Sequence, residues 1–292
     1  MKKNRRIFGK TVMILSLIFF YLPIICVVVF SFNGSKSLTV MKGFSLQWYE
    51  RLFRDSQMME SVYTTVLVAV IATVVSTLTG TLAAVGLSKS RRVVKDLVLQ
   101  INDFPIMNPE IVTAIGLMLF FITIGVERGL MTMILAHIAF CIPYVILSVM
   151  PKIRSLDPNL ADAAMDLGAT PWQALTKVIV PEIMPGVFSG ALIAFTMSFD
   201  DFIISYFVTG RGVKNLSIMV YTMSKRVNPT INAISSLIVG VITLVLIIIN
   251  LVPFIRERSL MKKQKAAAAK AATTKAIETD AASDAKAPDF KE

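Results

Sequence analysis

The sequence predicts an all-α protein that crosses a membrane several times. Three observations carry that prediction. Hydrophobic residues make up 55% of the 292-residue chain and charged residues only 17%, with a mean hydropathy of +0.69; a soluble domain holds about 45–50% apolar and about 25% charged residues. Three runs, Thr11–Ser35, Ser61–Ser88 and Val227–Ile255, contain no Asp, Glu, Lys, Arg or His over 25, 28 and 29 residues. About 20 apolar residues in a helix cross the ~30 Å hydrocarbon layer. The net charge of +11 belongs, in such a chain, to basic ends beside anionic lipid rather than to nucleic acid. A soluble enzyme, a disordered chain and a DNA-binding module are excluded.

The elements follow in order. The basic residues Lys2, Lys3, Arg5 and Arg6 precede an apolar run too long for a signal-peptide core and without a small-residue cleavage site, so the first span is expected to be an uncleaved helix over about residues 11–32. Gly9-Lys10-Thr11 looks like the end of a Walker A loop, but Asn4 stands at the first glycine position and the segment enters a span instead of following a strand; it is no ATP site. Further spans are expected at 60–87, 97–124, 130–150, 184–208 and 231–254, six in all. The third holds Asp103 and Glu110, the fifth Asp200 and Asp201. Cys26 and Cys141 lie in apolar runs without metal-ligand spacing and read as small buried hydrophobes; no metal site is expected. His137 is the single histidine and reads as a packed, hydrogen-bonded residue. Trp48 and Tyr49 read as an interfacial aromatic belt.

With both termini in the cytoplasm, 21 of the 30 Lys and Arg fall in cytoplasmic segments and 9 outside, in line with the positive-inside bias. Nine of the 21 lie in residues 255–292, an Ala/Lys-rich segment with no apolar stripe, read as a mostly disordered tail near lipid.

The stretch from Pro151 to Pro185 is the most informative. Asp157 and Pro158 start a helix that Gly168 ends, because glycine enters the left-handed region cheaply. Thr170, Pro171 and Gln173 form a capping box for a second helix, expected to end before Pro181. Ala161, Ala163, Ala164 and Gly168 leave the backbone open to close approach, and Asp162 and Asp166 share a helix face that suits a basic partner.

The run Asp162-Ala163-Ala164-Met165-Asp166-Leu167-Gly168-Ala169, followed by Ile179-Val180-Pro181, resembles the EAA loop of ABC importer permeases. Asp162 stands where the family pattern has Glu and Val180 where it has Leu. Ser31-Phe32-Asn33, Trp48-Tyr49, Asn108-Pro109-Glu110, His137-Ile138-Ala139-Phe140 and Ser198-Phe199-Asp200-Asp201 extend the resemblance to the second membrane subunit of spermidine/putrescine importers, over about residues 5–255. The resemblance implies a type I importer permease fold with an N-terminal part at 1–59, a permease domain at 60–254 carrying the coupling loop 151–185, and the tail at 255–292.

It also implies partners: a second homologous permease chain, two copies of a cytoplasmic ATPase holding ATP and Mg, and an external polyamine-binding protein in a bacterial inner membrane. The chain itself would hold no cofactor, bind no nucleic acid and catalyse nothing. Asp162, Ala163, Ala164, Asp166, Gly168 and Pro181 would form the ATPase-coupling loop. Glu110, Asp200 and Asp201 are expected either along the path of a multivalent cation or as stabilisers of the bundle, since intramembrane acids face a cavity or a partner. A permease for another solute, an ion-coupled secondary transporter and a scaffold are the competing readings. Specificity between putrescine and spermidine is expected to lie in the external binding protein.

Overall fold

A computed structural model describes residues 2–37, 40–210, 212–224, 228–244 and 247, with side chains from Phe8 onward. Helices dominate: α1 Lys2–Ser31, α2 Gln47–Arg54, α3 Ser56–Ser88, α4 Arg92–Met107, α5 Glu110–Thr123, α6 Leu130–Arg154, α7 Leu160–Asp166, α8 Pro171–Ala174, α9 Val180–Asp200, α10 Ile203–Val208, α11 Leu216–Ser224 and α12 Thr230–Leu244. The one β-type contact among the described residues is an isolated antiparallel bridge between Asn33 and Phe44. Among these residues, four helical segments are long and apolar enough to cross a membrane, Phe8–Ser31, Ser56–Ser88, Leu130–Arg154 and Pro171–Asp200. A fifth span is made if α4 and α5 count together, and α12 is a shorter apolar helix. The expected tail at 255–292 lies outside the described residues.

Contacts divide the chain into two units, Met1–Ser31 with Asn232–Glu292, and Phe32–Ile231. In the first, α1 carries Gly9-Lys10-Thr11 within its helix and exposes apolar side chains along its length, Phe19 and Phe20 among them. The Ser236 hydroxyl donates to the Val27 carbonyl at 3.5 Å.

The second unit is built around α3, α6 and α9. Small residues make the close packing possible. Ala72, Ser76, Gly80 and Ala84 repeat every four residues along α3 and are buried, which lets backbones approach as in other membrane helix pairs. A Cβ on Gly80 would stand 2.8 Å from Val145 of α6. From the other side, a Cβ on Gly190 of α9 would stand 3.3 Å from the Val145 Cα. Val145, fully buried, is therefore the point where three helices converge.

Two expected continuous spans are broken. The span expected over 97–124 bends by 106° between α4 and α5. Pro109 has no N–H to continue the ladder, and a proline disfavours the helical conformation in the residue before it; Asn108 is accordingly extended at φ −79°, ψ 147°. The span expected over 184–208 stops at Asp200, with Asp201 at ψ 130°, and restarts as α10. The helix expected to end before Pro181 instead runs on. After α8, a π-helical turn over Leu175–Ile179 leads directly into α9. Pro181 cannot donate to a carbonyl four residues back, and its ring crowds that carbonyl; the wider turn, in which the Val180 N–H reaches the Leu175 carbonyl, accommodates it.

The aromatic belt is also corrected. Trp48 is 2% exposed, and its indole N–H donates to the Asn33 carbonyl at 2.6 Å. Asn33 organises the preceding loop: its amide donates to the Ser37 and Val40 carbonyls, while its Oδ1 accepts from Ser35 and Lys42 N–H. Tyr49 packs on Phe32, ring centroids 5.4 Å apart. The indole N–H that suggested a headgroup position is used inside the protein.

Candidate functional site

Two regions gather the candidate residues. The first is the α7–α8 loop. Asp157 accepts from the Asn159 N–H at 2.9 Å, so the turn it makes precedes α7, which begins at Leu160. Gly168 closes the helix at φ +89°. Its N–H reaches the Met165 carbonyl and the Ala169 N–H reaches the Ala164 carbonyl, the paired bonds of a Schellman stop. Thr170 and Gln173 then form the expected capping box, with the Gln173 N–H donating to the Thr170 hydroxyl at 3.3 Å and the Thr170 N–H to Gln173 Oε1 at 3.0 Å. Asp162, Ala163, Asp166 and Gly168 are exposed on the outer face of this turn, Ala164 is half-buried, and Pro181 is exposed on α9. The sequence reading missed Leu167, 91% exposed, and Trp172, 69% exposed. Two large apolar side chains and two carboxylates are thus exposed on the same loop. Behind the loop, a cleft of about 410 Å³ separates it from the ends of α3, α4 and α6, lined by Lys89, Lys95, Arg154 and Met165 among others.

The second region lies at the two broken spans. Glu110 occupies the first turn of α5, directly after the Asn108–Pro109 break, where the helix N-terminus favours a negative charge. It is the electrostatic neighbour of Asp201 and, less strongly, Asp200 at the α9–α10 break, and α10 packs along α5. Two chain interruptions thus bring three acids together that lie some ninety positions apart.

The three acids are not equivalent. Asp200 is exposed, with its carbonyl accepting from the Ser217 hydroxyl at 3.2 Å. Glu110 is half-buried. Asp201 is 4% exposed and turned inward: Oδ1 accepts from the Ile204 N–H at 3.1 Å, and Oδ2 from the Ser205 N–H and hydroxyl at 2.7 Å each. Its carboxylate caps α10, supplying acceptors to donors that a helix start leaves unpaired. His137 Nε2 stands 3.2 Å from the same Oδ2. Asp103 lies apart on α4, half-buried.

Aromatic rings border the second break. The Phe202 and Tyr221 centroids are 4.7 Å apart, Phe202 and Tyr206 5.4 Å, and Tyr206 and Tyr221 6.1 Å. Tyr206 and Tyr221 are 49% and 42% exposed. These rings come from α10, α11 and the link before them, so no local pattern announced the cluster. No group of three or more His, Cys, Asp or Glu among the described residues is arranged to hold a metal ion.

Known proteins resemble this chain in sequence and in fold. Residues 76–256 match the family described as binding-protein-dependent transport system inner membrane component. The chain is 37% identical over 247 residues to the putrescine transport system permease protein PotI of Escherichia coli K12, covering 80% of this chain and 86% of that one. It is 34% identical over 233 residues to the spermidine/putrescine transport system permease protein PotC of Haemophilus influenzae, covering 80% and 90%. Among solved structures, a chain of a bacterial ABC transporter for import of the acidic polysaccharide alginate superposes with a TM-score of 0.66 at 20% identity, over 85% of this chain and 96% of that one. The alginate transporter in complex with an alginate-bound periplasmic protein gives 0.63 at 16% identity, over 85% and 94%. Those two similarities are of fold.

Proposed function

We propose, from the premise that this chain belongs to the family of binding-protein-dependent transport system inner membrane components, that it is a permease subunit of an ATP-driven importer of polyamines. The observation that carries the substrate class is the meeting of Glu110 with the Asp200–Asp201 pair at two helix breaks. A polyamine is a flexible chain of protonated amines joined by methylenes. Leaving water costs such a cation several kcal/mol per charge, and carboxylates spaced along a path offset that cost without trapping it at one place. Asp200 and Glu110 are the acids with open faces, while Asp201 serves the fold. The rings of Phe202, Tyr206 and Tyr221 offer apolar walls to the methylenes and electron-rich faces to the ammonium groups. The two relatives, a putrescine and a spermidine/putrescine permease, support the same class.

A cytoplasmic ATPase docks on the α7–α8 loop through Asp162, Ala163, Asp166 and Gly168, with Leu167 and Trp172 as apolar anchors. Two ATPase copies serve two permease chains, this one and a homologue, and hold the ATP and Mg. Closure of the ATPases pushes α7, which packs on α8 and on the π turn that leads into α9, and that motion alternates access from outside to inside. An extracytoplasmic binding protein delivers the polyamine. The protein is a multi-pass inner-membrane component with both termini in the cytoplasm, the orientation that the Lys and Arg distribution favours.

Labelled putrescine and spermidine uptake in a strain deleted for this gene tests the reading. Complementation restores uptake, and purification in mild detergent recovers the second permease and the ATPase. Equal uptake with and without the gene overturns the substrate class; a transport-competent homomer overturns the assembly.

A further inference from the structure

We propose that His137 is a positioning residue that staples the two halves of the broken α9–α10 span onto α6, and that this staple sets the direction of Asp200. The inference rests on the polyamine-permease reading for its functional readout. The imidazole is 1% exposed. Its Nδ1 lies 2.6 Å from the Ser198 hydroxyl, three residues before the break, and its Nε2 lies 2.9 Å from the Ser205 hydroxyl, four residues after it. One rigid ring therefore holds both sides of the interruption.

Proton counting assigns the roles. Ser205 has a single hydroxyl hydrogen, and it goes to Asp201 Oδ2 at 2.7 Å. Its oxygen already receives the Asn215 amide at 2.9 Å. Nε2 must then carry a hydrogen, shared between the Ser205 oxygen and Asp201 Oδ2. In the neutral ring Nδ1 accepts from Ser198. The Asn215 amide also donates to the Asp201 carbonyl at 2.9 Å, and the next residue's N–H donates to Thr65 Oγ1 on α3 at 2.7 Å. Five elements, α3, α6, α9, α10 and α11, are joined through this buried chain, and Asp200 sits between its two anchored ends.

The titratable groups around the ring and Asp201 are Asp200 at the break, Glu110 on α5 and Cys141 on α6, with Tyr144 on α6 next to Glu110 and Cys141. Removing the imidazole strands a buried carboxylate without one of its donors, a more damaging state than losing both partners together. That asymmetry gives the test.

His137→Leu, Asp201→Asn and the double variant are prepared in the assembled transporter, and half-saturating polyamine and maximal uptake are measured per complex. Each single variant is expected to raise the half-saturating concentration about tenfold, the size of one hydrogen bond to a charged group, with the double variant no worse than either. His137→Gln, which keeps one donor, falls between wild type and His137→Leu. Hydrogen exchange over residues 203–208 is read on the same preparations and requires no substrate. It rises in His137→Leu, and also in Ser198→Ala, whose deletion lies on the far side of the break and leaves the His137–Asp201 contact intact. Multiplying single effects, wild-type uptake in His137→Leu, or unchanged exchange in Ser198→Ala overturns the proposal. A wild-type complex that takes up no polyamine overturns the substrate reading instead, and the exchange measurement still decides the staple.

Discussion

Gly168 offers the sharpest test of the loop, because its two possible requirements separate. It sits at φ +89°, and a Cβ placed on it meets nothing within 4 Å. A substitution there strains the backbone and clashes with nothing in this chain. For an ordinary L-residue the left-handed conformation costs about 1–2 kcal/mol, and asparagine, which tolerates that region, costs less. The cost falls on α7, seven residues long, and leaves the α3–α6–α9 core untouched. Gly168→Ala therefore lowers the population of the correctly closed loop by about five- to thirtyfold relative to its alternatives, while insertion and yield stay normal. Gly168→Asp adds a third carboxylate beside Asp162 and Asp166 and weakens ATPase docking further.

The assay is substrate-stimulated ATP hydrolysis by the reconstituted complex, together with ATPase recovery on purification. The expected order of coupling is wild type, Asn, Ala, Asp. Normal transport-coupled hydrolysis in Gly168→Asp refutes the coupling role. If Asn is as damaging as Ala, the requirement is for an unobstructed surface against the partner and the backbone argument fails.

Other perturbations test separate parts of the structure. Gly80→Ala places a Cβ 2.8 Å from Val145 and destabilises the bundle by about 1–3 kcal/mol, read as a lower melting temperature, whereas Gly86→Ala, with open space around it, leaves the temperature unchanged; equal shifts refute the convergence at Val145. Glu110→Gln and Asp200→Asn each slow uptake per assembled complex by about ten- to a hundredfold, the effect of about 1.4–3 kcal/mol at the barrier; wild-type uptake in both, at normal assembly, removes these acids from the path. Trp48→Ala empties a buried indole site and costs about 3–5 kcal/mol, loosening residues 33–45 to limited proteolysis, while Trp48→Phe keeps most of the packing and loses the bond to the Asn33 carbonyl; identical proteolysis of wild type and Trp48→Ala contradicts the anchoring role.

The residues alone were enough for what depends on neighbours in the chain. Hydrophobic run length announced the spans, since a membrane helix satisfies its backbone internally and needs only apolar side chains outside. Thr170, Pro171 and Gln173 announced a helix start, and Gly168 a helix stop, because capping bonds reach only three to five residues along the backbone. Pro109 was equally visible, yet the extent of its effect was not: a proline in a membrane helix is tolerated when neighbours re-satisfy the freed groups, and whether it kinks gently or turns the chain by 106° depends on the packing around it. The same holds for Pro181, absorbed by a π turn instead of ending its helix.

Side-chain fate was decided in three dimensions. Asp200 and Asp201 are chemically identical neighbours in sequence, but the chain direction at the break sends one carboxylate to the exposed side and the other into contact with Ser205 and His137. Trp48 shows an amphipathic ring that suits a headgroup layer, and the Asn33 carbonyl claims it for the interior. Leu167 and Trp172 look like ordinary apolar residues until the loop holds them in the open. Composition and local pattern settle whether a residue can leave water; which atoms receive it when it does is set by the folded chain, from the Asn33 carbonyl that takes the Trp48 indole to the His137 ring that reaches Asp201 from another helix.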